Sequence, residues 1–246
     1  MKAQGSVLVC FPLKQEAAPF RKFAAEKSGV SILLTGIGRR NAERSLVEFL
    51  SSCRSRGNEA QTEIGNRQSA IQNQPETPHA VSYEPILVLT CGFAGGLNPD
   101  LKLGDVLFEC GIRNAECGTL AERLAAAGAK PARFFCADRI ATTAAEKKKL
   151  HDETGADAVE MESAAIYAVC REHRIPCATV RVISDTANED LPLDFNLLSR
   201  PDQSLDYGKL FLAIARSPGK IGALMKLQKQ TQFAAGRLAQ VLAGTL

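Results

Sequence analysis

The chain has 246 residues, of which 45% are hydrophobic and 23% charged, and its formal net charge at pH 7 is +3. These proportions are those of an ordinary globular protein with enough residues for one large buried core. The near balance of charge argues against a nucleic-acid partner, and the short basic clusters at 39–40 and 147–149 are expected on solvated helix faces. No apolar stretch could span a bilayer or serve as a signal peptide, so we expect a cytoplasmic protein without an integral membrane segment.

The cysteines and histidines do not form a recognisable metal or disulfide pattern. Eight cysteines lack any C-x-x-C pair, and several of them lie in apolar runs. Reduced, buried thiols are therefore expected. The three histidines have no metal-ligand spacing relative to cysteine, so we predict no metal and no cofactor.

Short apolar runs alternate with helical patterns along most of the chain. Strands rich in Val, Ile and Leu on both faces, separated by helices, favour a three-layer α/β/α fold around a central mixed, mostly parallel sheet. Strands are predicted over residues 6–11, 30–38, 85–97, 104–110, 132–137 and 177–185. Helices are predicted over 41–51, 120–127, 143–154 and 161–173, and within a helical C-terminal tail, 207–246, near 207–215 and 220–242.

Residues 51–85 interrupt this alternation. They are polar, contain several prolines and show no convincing period. This composition favours a flexible surface insertion, with an active-site lid as the alternative. Since no linker or repeat divides the rest, we predict a single domain over residues 1–246.

Several candidate site residues lie at the ends of the predicted strands or shortly after them. Ligands of open α/β sheets bind at the carboxyl ends of the strands, where loops and helix N-termini converge. An isolated glutamate at a helix start, a glycine turn or a capping aspartate is also ordinary structural chemistry, so no single position decides a function. The residues are Glu16, Gly38, Gly92, Phe93, Ala94 and Asp185.

The stretch AVEMESAAIYAV, residues 158–169, places Glu160 and Glu162 on either side of Met161 ahead of a helix. If the chain is still extended there, residues two apart share a side, and both carboxylates could enter one pocket. A carboxylate can accept hydrogen bonds from both hydroxyls of a vicinal diol. The alternative is that the acids lie at the favourable end of the helix dipole. Helical spacing also predicts a core-facing stripe of Met161, Ala164, Ala165, Ala168 and Val169.

Taken in this order, the motifs resemble the nucleoside phosphorylase/nucleosidase superfamily. The resemblance covers nearly the whole chain outside 51–85, and it is carried by GIGRRNA, TCGFAGGLNPDLKLGDV and AVEMESAAIYAVCREHRIPCATVRVISD. The motifs are similar to those of methylthioadenosine/adenosylhomocysteine nucleosidases. The C-terminal tail and the segment ATTAAEKKKLHDETGADAVEMES look more like the hopanoid-associated phosphorylase-like branch, some of whose members are adenosylhopane nucleosidases.

The resemblance implies an enzyme that cleaves the N-glycosidic bond of a purine nucleoside. Asp185 would protonate the leaving purine, and Glu16 would activate water. Glu162 would grip the ribose with Met161 beneath the sugar, and Glu160 would support the site. This division of labour between carboxyl groups suits the chemistry, because positive charge develops on the sugar and negative charge on the base.

Water, rather than phosphate, is the expected nucleophile. Hexameric phosphorylases of the superfamily place an arginine just before the glycine turn, whereas this chain has Thr90 and Cys91 there. Phe93 stands where both branches commonly carry Ser or Thr, which weakens an anion site, although Arg39 could still supply charge. A phosphorylase with phosphate as co-substrate is the first alternative, and a non-catalytic nucleoside-binding or regulatory protein is the second.

The resemblance also bears on the base, the 5′ substituent and the partners. Backbone groups near Arg139 and Ile140 would contact the base. The short segment between GDVLFEC and GTLAERL predicts an open site that admits a bulky 5′ substituent. A homo-oligomer, dimer or larger, is implied. The last predicted helix either touches a membrane surface or packs on its own domain through Leu224, Leu227, Phe233 and Leu238.

Overall fold

The computed structural model describes residues 6–68, 85–111, 115–198, 209 and 218–246. Eight strands within these ranges form one sheet. They are β1 (Val7–Phe11), β2 (Val30–Leu34), β3 (Leu87–Gly96), β4 (Val106–Cys110), β5 (Lys130–Pro131), β6 (Phe134–Cys136), β7 (Ala158–Glu160) and β8 (Cys177–Asp185).

Helices connect most of the strands. They are α1 (Lys14–Ala24), α2 (Arg39–Gln68), α3 (Ala115–Ala126), α4 (Ala144–Thr154), α5 (Ser163–His173), α6 (Phe195–Leu198) and α7 (Ile221–Thr245), the last preceded by a 3₁₀ turn at Pro218–Lys220. The start of α4 is fixed by a capping box in which Thr143 and Glu146 satisfy each other's backbone N–H groups. Its end is fixed by Gly155 in the left-handed conformation.

The sheet is mixed and mostly parallel, as the sequence predicts. Its order is β2-β1-β3-β8-β4-β5, and β1 runs parallel to both β2 and β3, while β3 runs parallel to β8. Strand β4 is antiparallel to β8. Strand β7 pairs antiparallel with the last residues of β3 and parallel with β6. This crossing brings the segment that follows β7 to the carboxyl ends of β3 and β8.

Alternation along the strands builds a core on each face of the sheet. In β1, Val9 and Phe11 face one cluster, which contains side chains of α1, α3 and α7. Leu8 and Cys10 face the opposite cluster, which contains side chains of α2 and α5. Successive residues of a strand point to opposite faces, so one apolar run serves both layers. The predicted three-layer α/β/α arrangement is confirmed.

The predicted insertion at 51–85 begins inside a helix. Helix α2 continues to Gln68, so the expectation of no regular structure is wrong for residues 51–68, while 69–84 lie outside the described residues. No proline interrupts residues 51–68, and polar composition does not by itself end a helix.

The C-terminal tail ends in a long helix. The prediction of a helix over 220–242 is confirmed by α7, whereas the predicted helix over 207–215 lies outside the described residues apart from Lys209. The second half of α7 packs on the sheet with Leu238 fully buried, while Phe233 is half exposed and Leu224 and Leu227 are half-buried. No helix within the described ranges is long and apolar enough to cross a membrane.

Two further expectations concern α5 and the cysteines. The stripe predicted from Met161 is wrong, because the chain bends after β7 and α5 begins two residues later, at Ser163. Its buried face consists of Ser163, Ile166, Val169 and Cys170, and Ala164 and Ala168 are exposed. None of the seven cysteines whose side chains the structure describes forms a disulfide.

Candidate functional site

A buried arginine joins the acidic residues at the carboxyl end of the sheet. Arg181 lies within β8 with its side chain only 1% exposed. Its Nη2 lies 2.8 Å from Glu160 Oε2 and 3.0 Å from Glu162 Oε2, and it donates to Thr90 Oγ1 at 3.0 Å. Burial would lower the pKa of Arg181, but the surrounding carboxylates outweigh burial and raise it.

The sequence motifs do not predict Arg181 as a site residue. A single charged residue inside the otherwise apolar strand CATVRVISD was the available signal, since a buried charge needs a partner. It places a positive charge beside the glycine turn, although the chain has no arginine at 90 or 91.

Glu160 shapes the bend between β7 and α5. Its Oε2 accepts hydrogen bonds from the backbone N–H groups of Glu162 at 2.9 Å and Ser163 at 2.8 Å. Its Oε1 accepts the Ser163 hydroxyl at 2.5 Å. Burial alone would raise the pKa of Glu160, but Arg181 and these hydrogen bonds lower it overall. Both oxygens of the Glu160 carboxylate are therefore bonded to other groups of the protein.

Glu162 connects this bend to the turn after β2. Its Oε1 accepts the backbone N–H of Gly38 at 2.7 Å, and its Oε2 contacts Arg181. Gly38 has φ = 83°, a conformation that favours glycine. Burial is the main influence on the Glu162 carboxyl group and raises its pKa. Met161, between the two glutamates, is half-buried.

Glu16 reaches the glycine turn from the first turn of α1. Its Oε1 accepts the Phe93 backbone N–H at 2.9 Å, and its Oε2 accepts the Leu13 backbone N–H at 2.9 Å. Burial raises the pKa of Glu16 to about 7. The Phe93 ring packs against the core, so its backbone N–H is the group that meets the carboxylate.

Gly92 allows the arginine and the glutamate to approach the strand. It has φ = 150°, and a Cβ atom there would lie 2.7 Å from Arg181 Nη1 and 3.0 Å from Glu16 Oε1. No side chain fits at that distance without displacing them. Ala94, two residues further, is buried in the sheet, and its carbonyl accepts the Ser184 hydroxyl at 3.4 Å.

Asp185, at the end of β8, is paired with a buried lysine of α4. Its Oδ2 lies 2.6 Å from Lys147 Nζ, and its Oδ1 accepts the Ser184 hydroxyl at 2.7 Å. The side chain of Lys147 is 0% exposed. The expectation of a solvated lysine cluster is therefore wrong for Lys147, and it holds for Lys148 and Lys149, which are exposed.

The structure does not join Arg139 and Ile140 to this acidic cluster. The Arg139 side chain pairs with Glu146 at 2.5 Å. The backbone N–H of Ile140 donates to Asn196 Oδ1 at 2.9 Å, and its carbonyl accepts from Asn196 Nδ2 at 2.9 Å. A base that used the Ile140 backbone would have to replace Asn196, and the base contact stays a prediction.

Arg39 is held at the end of β6. Its guanidinium donates to the Cys136 carbonyl and lies 3.3 Å from Asp138 Oδ1. In the part of the chain that the structure describes, no group of three or more His, Cys, Asp and Glu side chains could hold a metal ion.

One protein-family model matches part of this chain. Residues 115–214 match the family model of the phosphorylase superfamily. The resemblance to the phosphorylase superfamily is confirmed. The matched region contains Glu160, Glu162, Arg181 and Asp185.

Two curated relatives share one enzyme name. The chain is 30% identical over 149 residues to the 5′-methylthioadenosine/S-adenosylhomocysteine nucleosidase of Shewanella pealeana, and 28% identical over 145 residues to that of Shewanella sediminis. Each alignment covers 46% of this chain, and the chain spans 63% of the length of each relative.

Solved structures share the fold over almost the entire chain. The Neisseria meningitidis 5′-methylthioadenosine/S-adenosylhomocysteine nucleosidase in complex with methylthio-immucillin-A has a TM-score of 0.62 at 18% identity and covers 98% of both chains. The Helicobacter pylori futalosine hydrolase has a TM-score of 0.58 at 16% identity and covers 98% of this chain and 97% of its own. The resemblance to the hopanoid-associated branch stays a prediction.

Proposed function

We propose that this protein hydrolyses the N-glycosidic bond of a purine nucleoside. The observation that carries the proposal is the hydrogen bond from the Phe93 N–H to Glu16. It places a carboxylate at the glycine turn, close to the Arg181–Glu162 pair. Such a carboxylate can take a proton from a water molecule that attacks the sugar.

Glu162 is the group that binds the ribose in this proposal. Its Oε1 and Oε2 are fixed by Gly38 and Arg181, so the carboxyl group is held in one orientation before substrate arrives. An ionised carboxylate has lone pairs left to accept the two hydroxyl groups of a ribose. Met161 lies under the sugar, and Glu160 supports the bend that carries both residues.

Asp185 is the proton donor to the base. Its side chain keeps 11% exposure, so it is accessible to a ligand at the end of β8. In the reaction the C1′–N9 bond breaks, its electron pair goes to the purine, and the Asp185 proton goes to N7. Water adds to C1′ and passes a proton to Glu16. Two carboxyl groups divide the work in the same way in glycoside hydrolysis.

The charge of the site favours water over phosphate as the nucleophile. The cluster contains the carboxyl groups of Glu16, Glu160 and Glu162 around a single guanidinium, that of Arg181. A phosphate dianion would meet repulsion from carboxylates in a buried setting where charges interact strongly. The N–H of Phe93 is already bonded to Glu16 and would have to be released to bind an anion.

The proposed substrate is an adenine nucleoside with a 5′ substituent. The curated relatives are named 5′-methylthioadenosine/S-adenosylhomocysteine nucleosidases, and we extend that substrate class to this chain. Only seven residues, 111–117, lie between GDVLFEC and GTLAERL in the sequence, and this short segment supports an open 5′ side. The reaction uses no cofactor in this scheme, and a homo-oligomer stays a prediction.

Release of free adenine tests the proposal. The protein is incubated with adenosine, methylthioadenosine and a 5′-alkyl adenosine, each with and without phosphate. Adenine release independent of phosphate is expected. Strict dependence on phosphate would show a phosphorylase, and binding without release would show a nucleoside-binding protein.

A further inference from the structure

Lys147 is an unusual lysine because its whole side chain is buried and every N–H of its ammonium group has an acceptor. Nζ contacts Asp185 Oδ2 at 2.6 Å, the Thr186 carbonyl at 2.8 Å and the Glu189 carbonyl at 2.9 Å. An ammonium group has three donors, so this set is complete. The lysine is therefore fixed in one position at the end of β8.

Stability alone does not account for a lysine at this position. A buried ion pair is a weak source of stability, because desolvation of both charges offsets their attraction. The neighbouring Lys148 and Lys149 face solvent and pair with Asp152 and Glu153 on α4. Lys147 instead pairs across the fold with the carboxyl group that the proposed reaction uses as its acid.

The other charged group near Lys147 is directed away from it. Glu189 offers its backbone carbonyl to Lys147, while its carboxylate contacts Lys226 at 2.7 Å and Gln230 at 3.2 Å. Gly95 of β3 also packs against the pair, and an added Cβ there would lie 3.3 Å from Asp185 Oδ2. Asp185 is therefore the carboxyl group that the Lys147 ammonium contacts.

We propose that Lys147 is a positioning residue for proton transfer to the leaving base: it holds Asp185 Oδ2 and stabilises the negative charge that appears on Asp185 when its proton moves. The inference rests on the proposed function, because it needs Asp185 to donate that proton. In this step the C1′–N9 bond breaks and its electron pair goes to the base. The reacting form of Asp185 carries its proton on Oδ1, the oxygen that Lys147 does not contact, and in that form the Ser184 hydroxyl donates to the Ala94 carbonyl, 3.4 Å away. The proton leaves Asp185 Oδ1 for N7, and the Lys147 ammonium keeps all of its protons.

The fixed ammonium lowers the barrier because it is in place before the charge develops. Preorganised groups in a water-excluded site stabilise developing charge without reorganising during the reaction. Here the charge develops on Asp185 itself. A leaving group that departs without a proton gains nothing from this arrangement, and that difference provides the test.

The experiment compares two substrates in wild-type protein and in Lys147→Met. One substrate is methylthioadenosine, whose adenine needs a proton to leave, and the other is 4-nitrophenyl β-D-ribofuranoside, whose nitrophenolate does not. We expect kcat for methylthioadenosine to fall about 10- to 100-fold, part of the roughly 10²- to 10⁴-fold effect of a general acid. For the nitrophenyl riboside the change should stay below about 3-fold. Lys148→Met is the matched control and should leave both rates unchanged.

Equal losses on both substrates would overturn the role of Lys147, since a merely structural lysine would affect them alike. Wild-type protein that releases neither adenine nor nitrophenol would instead contradict the proposed function. If Lys147→Met does not fold, Lys147→Arg retains the charge and should keep the ratio of the two rates within about 3-fold of wild type; a shift of 10-fold or more contradicts the proposal.

A double-mutant comparison gives a second test. Because Lys147 acts through Asp185, its removal should cost no further kcat for methylthioadenosine once Asp185→Asn is present. An additional fall of 10-fold or more in the double variant would show that Lys147 acts independently of Asp185, and the proposal would be wrong.

Discussion

Glu16 Oε1 accepts a hydrogen bond of 2.9 Å from the Phe93 N–H, although 77 residues separate the two in the chain. The bond joins the first turn of α1 to the glycine-rich second half of β3. Burial at this junction raises the pKa of Glu16 to about 7. The first two predictions follow from this one carboxyl group.

The rate of the proposed reaction should rise with pH through about 7. Glu16 must be ionised to accept a proton from water, and the carboxylate form prevails only above its raised pKa of about 7. The acidic limb of kcat/KM should therefore have its midpoint near pH 7, and Glu16→Gln should lower the rate at pH 8 about 100-fold or more. Steady-state rates of adenine release from pH 5 to 9 measure both. A midpoint near 4.5 would exclude Glu16 as the base.

The same carboxyl group should make stability fall as pH rises. The pKa of Glu16 is about 7 in the folded chain, against an ordinary 4.5. The folded state therefore holds its proton over a range where the unfolded chain has lost it, and stability declines between about pH 4.5 and 7. Glu16→Gln lacks this loss, so its melting temperature relative to wild type should increase by several degrees, about 5 °C, across that range.

Thermal unfolding at pH 5 and pH 8 provides the comparison. Glu26→Gln changes an exposed glutamate just beyond α1 and is the matched control. Its melting temperature should equal that of wild type at both pH 5 and pH 8. A Glu16→Gln difference that is the same at pH 5 and pH 8 would contradict the pKa of about 7 for Glu16.

Gly92→Ala should disrupt the acidic cluster. The new Cβ would lie 2.7 Å from Arg181 Nη1 at a backbone angle that L-residues avoid, so Arg181 and Glu16 must move. We expect a loss of stability of about 1–3 kcal/mol and a fall in kcat/KM of at least about 10-fold. Gly128→Ala is the control, because Gly128 also has a positive φ, 94°, but no atom lies within 4 Å of an added Cβ. Chemical denaturation measures the loss of stability, and adenine release measures the loss of activity. Gly128→Ala shows the effect of backbone strain alone, whereas Gly92→Ala shows strain together with the clash.

Glu160→Gln and Glu162→Gln should have opposite main effects. Glu160 is bonded to Arg181 and to the backbone and hydroxyl donors that shape the β7–α5 bend, so its neutralisation should cost about 3 kcal/mol of unfolding free energy. Glu162 contacts Arg181 and Gly38 only once each, and its proposed partner is the ribose. Glu162→Gln should therefore raise KM and lower kcat more than it lowers stability.

Urea unfolding and steady-state kinetics of the same two variants compare these effects. We expect Glu160→Gln to lose more stability than Glu162→Gln and Glu162→Gln to lose more activity than Glu160→Gln. The order of these losses is the test, since the two carboxyl groups share Arg181 and their effects will not add. A Glu162→Gln variant with wild-type kinetics would remove Glu162 from the ribose site.

The sequence predicts six of the eight strands of the sheet, and it does not predict the short strands β5 and β7. Val, Ile and Leu on both faces of short runs predicted strands buried on both sides, and β1, β3 and β8 fall where those runs lie. Helix ends were less predictable. Helix α2 runs 17 residues past the expected end at 51, because no proline stops the helix before Gln68 and polar residues can continue it. The bend that delays the start of α5 depends on Glu160 contacts that local spacing does not encode.

Some residues of the candidate site can be predicted from the sequence, because they are acidic and lie near strand ends. Glu16 and Glu162 follow strands, and Asp185 is the last residue of one. The structure brings Glu16 and Glu162 to one buried cluster around Arg181, and Asp185 lies four residues further along the same strand as Arg181. Arg181 could have been found from its apolar strand, because an unpaired buried charge is too costly to persist. The backbone expected to meet the base, at Ile140, is already bonded to Asn196, a contact 56 residues away in the chain.

Lys147 shows what the sequence determines and what only the tertiary structure decides. By itself the sequence determined the alternation of strands and helices and the acidic residues at strand ends, because these depend on local hydrophobic period and on chain order. It could not distinguish Lys147 from Lys148 and Lys149, which are the same residue type in one run. Only the tertiary structure decided which lysine is buried against Asp185, because burial and ion pairing depend on the face of α4 that meets the end of β8.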